Sequence, residues 1–125
     1  MSSVQVADQT FVAAPGEVVA QVLGERRRWR RWFPGLDVQV KEDRGGKGVR
    51  WVVGGELVGT MEVWLEPSLD GVIVHYFLHA EPAGCGDPAA ITRTRRIAGK
   101  TMSFDLKAET ERGRAPGEPP LYAGP

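Results

Sequence analysis

Between Leu36 and Ala80 the apolar positions recur mostly at every second residue, the period of strands with one buried face. Residues 36–42 (LDVQVKE) alternate cleanly, and Asp43-Arg44-Gly45-Gly46 supplies turn chemistry after them. Residues 48–54 and 56–66 predict two further strands joined near Gly54-Gly55. A turn over Pro67–Gly71 leads into 72–80 (VIVHYFLHA), which is apolar almost throughout. Four consecutive strands with short connections predict an antiparallel meander. The turn at 67–71 does not fix the register, and a one-residue slip exchanges the two faces of a strand. Which face of the sheet points inward therefore stays open.

On either side of the meander the period changes. Residues 4–13 alternate imperfectly and predict a first strand. Pro15 stands where a first helical residue belongs, and Val18, Val19, Val22 and Leu23 form a stripe at helical spacing that Gly24 ends. A second, short helix is expected over Glu25–Trp32, stopped by Pro34-Gly35. The final element starts at an Asp87 N-cap with Pro88 at its first position, and Gly113 is placed to terminate it. It predicts an amphipathic helix of about seven turns. Ile91, Ala98, Met102 and Leu106 lie beside Ile97, Phe104 and Ala108 on one broad apolar face, with Arg93, Arg96, Lys100 and Lys107 opposite. A helix this long must bury its stripe, and the sheet is the one large partner available.

Composition narrows the class. A chain of 125 residues with 42% hydrophobic and 26% charged residues fits one globular domain. We expect that domain over residues 1–113, followed by a Pro/Gly-rich flexible tail over 114–125. Lys plus Arg and Asp plus Glu balance at 16 each, so no global field gathers nucleic acid or anionic membrane. Cys85 is the single cysteine, which excludes an intrachain disulfide and a thiolate metal cluster. The first thirty residues lack an apolar signal core, and no apolar run reaches membrane-spanning length, so a cytoplasmic address is expected.

Three phrases carry a family resemblance: Asp8–Pro15 followed by Val18-Val19, Trp29-Arg30-Arg31-Trp32-Phe33-Pro34, and the final amphipathic helix. In this order they resemble the START-like (SRPBCC, helix-grip) superfamily, in particular its polyketide cyclase/dehydrase-type bacterial members. The resemblance implies an α+β fold: a curved antiparallel sheet of about five strands gripping a long C-terminal helix, with one or two short helices after the first strand. It also implies a cavity between sheet and helix for a lipid, a polyketide or a ring compound, without a cofactor. The family pattern has seven strands, so this chain is expected to lack two.

Candidate site residues follow from chemistry and from that resemblance together. Asp105 falls near the middle of the last helix's apolar face beside Thr101, where a bare carboxylate is costly unless paired. It is read either as a cavity acid/base or as a carboxylate reaching to Arg95, to Arg112 or to solvent at the rim. His75 and His79 share a strand face with Phe77, about 13 Å apart, too far to chelate one ion. No metal site is expected. His75 is read either as a second acid/base candidate or, with His79, as hydrogen-bonding a neighbouring strand or water on the exposed face. Glu62 is a further ionisable residue inside an apolar segment. Trp51, Trp64, Phe77 and Phe104 are read as cavity-lining aromatics or as core. The cluster Arg26–Arg31, interleaved with Trp29 and Trp32, is read as a solvated helix face, with phosphate or membrane binding as the alternative. Three functions follow: a binder of one small apolar or amphipathic molecule, a cyclase or dehydratase using Asp105 or His75, and a macromolecule-binding protein using the Arg/Trp patch or a sheet edge. The missing strands further predict a homodimer, with Trp51, Trp64 or Tyr76 at its centre on the sheet's outer face.

Overall fold

A computed structural model describes residues 2–111 of the chain. The expected boundary at Gly113, the tail over 114–125 and Arg112 lie outside these residues. Strand β1 (Val4–Val12) is followed by helix α1 (Gly16–Leu23). A 3-10 turn (Arg26–Arg28) runs into the single-turn helix α2 (Trp29–Trp32). Then come β2 (Leu36–Asp43), β3 (Gly48–Gly55), β4 (Leu57–Ser68), β5 (Gly71–Pro82) and α3 (Pro88–Thr110). Every element expected from periodicity is present. At α1 the boundary moves by one residue, since Pro15 is the N-cap rather than the first helical residue.

The five strands form one antiparallel sheet in the order β1-β5-β4-β3-β2. The fifth strand is thus interior, and the edges are β1 and β2. Exposed Asp37, Lys41 and Glu42, with a register shift between Val40 and Glu42, blunt the β2 edge. Register settles the question of faces. Val72, Val74, Tyr76, Leu78 and Ala80 of β5 are buried, as are Met61, Val63 and Leu65 of β4 and Trp51 and Val53 of β3. Ile73, His75, Phe77 and His79 therefore occupy the outer face, opposite Glu66, Trp64, Glu62 and Thr60. Of the three residues expected at a dimer centre, only Trp64 is on that face. Trp51 and Tyr76 are in the core.

Helix α3 runs 23 residues, about 35 Å. Its Asp87 cap accepts from Ala89 N at 3.2 Å. The helix lies over β1 and β5, while α1 covers β3 and β4. Only part of its apolar arc is buried. Arg95, Gly99, Met102, Ser103, Leu106 and Thr110 face the sheet, whereas Ile97 and Phe104 are 68% and 67% exposed. This corrects the expectation that Phe104 packs on the sheet. The cause is steric: a Cβ on Gly99 would stand 3.0 Å from Tyr76 Cε2, so the helix approaches the sheet on its smallest side chain. That rotation carries Phe104 outward.

Candidate functional site

The short helices bring their aromatic rings to the inner face of the sheet. Trp29 meets Trp51 edge-on at 5.9 Å between ring centroids, and Phe33 meets Trp51 at 5.5 Å and Tyr76 at 6.4 Å. Trp32 packs on Phe33 at 6.2 Å. The space between sheet and α3, where the cavity was expected, is occupied by these rings together with Met61, Met102 and Leu106. Most of their polar atoms are satisfied. Trp29 Nε1 donates to Leu23 O at 2.8 Å, and the Tyr76 hydroxyl donates to Met61 Sδ at 3.2 Å. Burial pushes the Tyr76 phenol well above its ordinary pKa, so it stays neutral. The Trp51 indole N–H is the one buried side-chain polar atom among the described residues without a hydrogen-bond partner.

The open space lies elsewhere, between α1–α2 and β2–β3. A cleft of about 230 Å³ is walled by Ala20, Leu23, Trp29, Val49 and Trp51, with Arg26 and Asp43 also on its lining. A shallower hollow of about 360 Å³ shares Arg26 and Trp29 with it and extends past Arg30, Phe33 and Val38. The Arg26 guanidinium sits over the Trp29 ring, 5.3 Å from its centroid. Asp43 is committed locally, accepting from Gly45 N at 2.8 Å. The arrangement offers aromatic walls and one cation at the mouth, without a free acid/base pair.

Of the candidate ligand-binding residues, Trp51 alone lines this cleft, joined there by Arg26 and Trp29 of the Arg/Trp cluster. Trp64, His75 and Phe77 stack on the outer face: the Trp64 and His75 ring centroids lie 4.7 Å apart, and the His75 and Phe77 rings are nearly parallel with centroids 6.4 Å apart. His75 Nε2 lies 3.0 Å from Glu66 Oε1. Glu62 pairs there with Arg44 at 2.9 Å. Thr101 donates to Ile97 O of its own helix, and Phe104 faces solvent. Trp29 belongs to the phrase at 29–34, Leu23 to the apolar stripe of the first helix and Arg26 to the basic cluster. Their part in the cleft had no signal beyond two tryptophans within one short turn.

Asp105 is the anchor of α2 on α3. Its Oδ2 accepts from Arg31 Nε and from Trp32 Nε1, each at 2.8 Å. The partner is therefore Arg31. Arg95 is instead buried on Pro34 O at 2.7 Å and Glu56 Oε2 at 3.2 Å. The Arg31 hydrogen bond, helped by Trp32, holds the Asp105 carboxyl below its usual pKa. A lowered folded-state pKa means the ionised group stabilises above the ordinary aspartate value of about 4. That contribution is lost as pH falls from there through the folded pKa. Asp105→Ala leaves the Trp32 N–H without its acceptor and should cost about 1–3 kcal/mol at neutral pH. Asp105→Asn should cost less, and its deficit against the parent should shrink below about pH 4, as urea titrations across pH would read. A deficit that stays constant into acid would show that the charge contributes nothing.

No family model and no curated protein matches this sequence. Solved structures do match. The solution structure of the Aha1 dimer from Colwellia psychrerythraea superposes with a TM-score of 0.69 at 14% identity, covering 90% of this chain and 99% of that one. A START superfamily protein from Mycobacterium smegmatis superposes at 0.70 with 10% identity, over 86% and 97%. The fold is START-like. A protein of the dynemicin biosynthetic locus shares it at 0.61 and 16% identity, over 88% of this chain and 48% of that one. Because the first two START-like structures are covered almost end to end, neither has a large part that this chain lacks. Among the described residues no helix is long and apolar enough to cross a membrane, and no group of three His, Cys, Asp or Glu is arranged for a metal.

Proposed function

We propose that this protein is a cytoplasmic binder of one small apolar or amphipathic molecule, held in the cleft between α1–α2 and β2–β3. The observation that carries the reading is that cleft itself, with Trp29 and Trp51 as its walls and Arg26 at its mouth. Its volume of about 230 Å³, extended by the adjoining hollow, approaches the roughly 300–1,000 Å³ of small-molecule sites. Flat aromatic walls suit a ring, and a guanidinium at the mouth suits an acidic or polar substituent. The resemblance of the sequence to polyketide cyclase/dehydrase-type members makes polyketide-like rings the first class to try. Binding without catalysis is favoured because both acid/base candidates, Asp105 and His75, stand outside the cleft and are already partnered. Two copies, where they associate, would meet through the outer face that carries Trp64.

The probe is 8-anilinonaphthalene-1-sulfonate, an anionic ring compound. Its fluorescence should rise on binding and should quench tryptophan emission. Arg26→Glu, an exposed change, should weaken binding about tenfold, near 1.4 kcal/mol. Ala20→Phe should fill the cleft and weaken it further, whereas His75→Ala should leave it unchanged. Loss of binding in His75→Ala with full binding in Ala20→Phe would move the ligand to the outer face. Native mass spectrometry of protein purified from its own host then identifies the bound molecule.

A further inference from the structure

Helix α3 carries a second apolar stripe that the fold does not use. Opposite the buried set, Ala90, Thr94, Ile97, Thr101, Phe104 and Ala108 follow one another at spacings of four and three. That mean period of about 3.5 residues is the signature of a helix–helix seam. Ile97 and Phe104, one heptad apart, are its large residues, at 68% and 67% exposure. No element of the described residues covers them. The seam is also dry in its chemistry: the Thr94 and Thr101 hydroxyls donate to Ala90 O and Ile97 O of their own helix. Neither threonine brings an unsatisfied polar group to a contact.

The flanks say what fits. At about 100° per residue, Arg93, Arg96, Lys100 and Lys107 form a basic ridge along one side of the stripe. Lys100 is held by Asp8 at 2.8 Å and Lys107 by Glu111 at 3.0 Å. Arg93 and Arg96 have no ion pair among the described residues. The other flank is the Asp105–Arg31 pair, which closes on itself. A lipid surface calls for a broad apolar face, and this stripe is one or two side chains wide. Antiparallel pairing of two copies about a two-fold axis would set ridge against ridge, near Lys100 against its own copy, and like charges destabilise such a seam.

We infer that this face of α3 seats an amphipathic helix of a partner protein, with apolar residues at heptad spacing and acidic residues along the flank facing Arg93 and Arg96. The apolar seam supplies the contact, and the ridge sets orientation and association rate. The surface is distinct from the ligand cleft and stands independently of that reading.

The test uses the full chain and a designed helical peptide of roughly 20 residues, long enough to hold helix. The peptide has Leu at seam positions and Glu at both flanks, and a second peptide carries Lys at the flanks instead. In a methyl and amide NMR titration the Glu peptide should bind in the micromolar range. Shifts should centre on Ile97, Thr101 and Phe104 and weaken with added salt. Ile97→Asp and Phe104→Asp should each weaken binding about tenfold or more without moving the thermal midpoint, since both side chains are exposed. Arg93→Glu with Arg96→Glu should reverse the preference toward the Lys peptide. Three results would overturn the proposal. One is absence of shifts on α3 at millimolar peptide, or equal binding of both peptides. Another is self-association that Phe104→Asp abolishes, which makes a second copy the occupant. The last is retention on phosphatidylserine-containing vesicles that the same variant loses, which makes the occupant a membrane.

Discussion

Leu106→Ala should lower the stability of this protein by about 2–5 kcal/mol. Phe104→Ala, two residues away on the same helix, should change it by no more than about 0.5 kcal/mol. Leu106 is fully buried between α3 and the sheet, so truncation removes apolar contact and leaves a cavity that close-packed neighbours refill only in part. Phe104 projects into solvent, and its ring loses almost nothing on removal. Urea denaturation of the two variants reads the contrast directly. A large loss in Phe104→Ala with a small one in Leu106→Ala would mean that α3 docks with the opposite face inward. The reading of the seam as a free surface would fall with it.

Gly48→Ala should cost about 2–6 kcal/mol through backbone strain and overpacking acting together, each contributing about 1–3 kcal/mol. Gly48 opens β3 at φ 126° and ψ −160°, a region that side chains other than glycine's rarely enter. A Cβ there would stand 2.0 Å from Val63 O and 3.1 Å from Trp64 Cα, both backbone atoms of the neighbouring strand that cannot step aside. Gly48 also lines the cleft, so the folded fraction of the variant should bind the anilinonaphthalene probe more weakly. Gly45 is the internal control. It too has positive φ, 59°, but an added Cβ meets nothing within 4 Å, so Gly45→Ala should cost only about 1 kcal/mol. Equal midpoints for the two variants would show that β3 begins in an ordinary extended conformation.

What could be read from the chain follows from what each residue needs locally. Turn glycines and Asp43 end strands within a few residues of themselves, and the Asp87-Pro88 pair starts α3 where the cap is found. The alternation over 36–42 and 56–66 marks strands without any knowledge of their partners. Burial is a different kind of question, because it depends on what stands across the interface. Both faces of β5 are rich in apolar residues, Ile73 and Phe77 on one, Val74 and Leu78 on the other, so no period could choose between them. Pairing with β4 and the weight of α1–α3 on one side made the choice.

The candidate site shows the same division. Trp51 was legible as a strand aromatic, yet the cleft it lines needs Ala20 and Leu23 from α1, Trp29 from α2 and Val49 from β3. These residues are brought together only when the short helices fold back on the sheet. Asp105 was legible as a carboxylate that required a partner, and the partner lies 74 residues away at Arg31. The elements, their order and the fold class were legible from the chain, because caps, turns and side-chain periods act over one or two turns of chain. Tertiary structure alone decided which half of α3's apolar arc is buried, which tryptophans wall a cleft and which stand in solvent. Those outcomes turn on close approaches between distant segments, such as Gly99 against Tyr76, that no local pattern records.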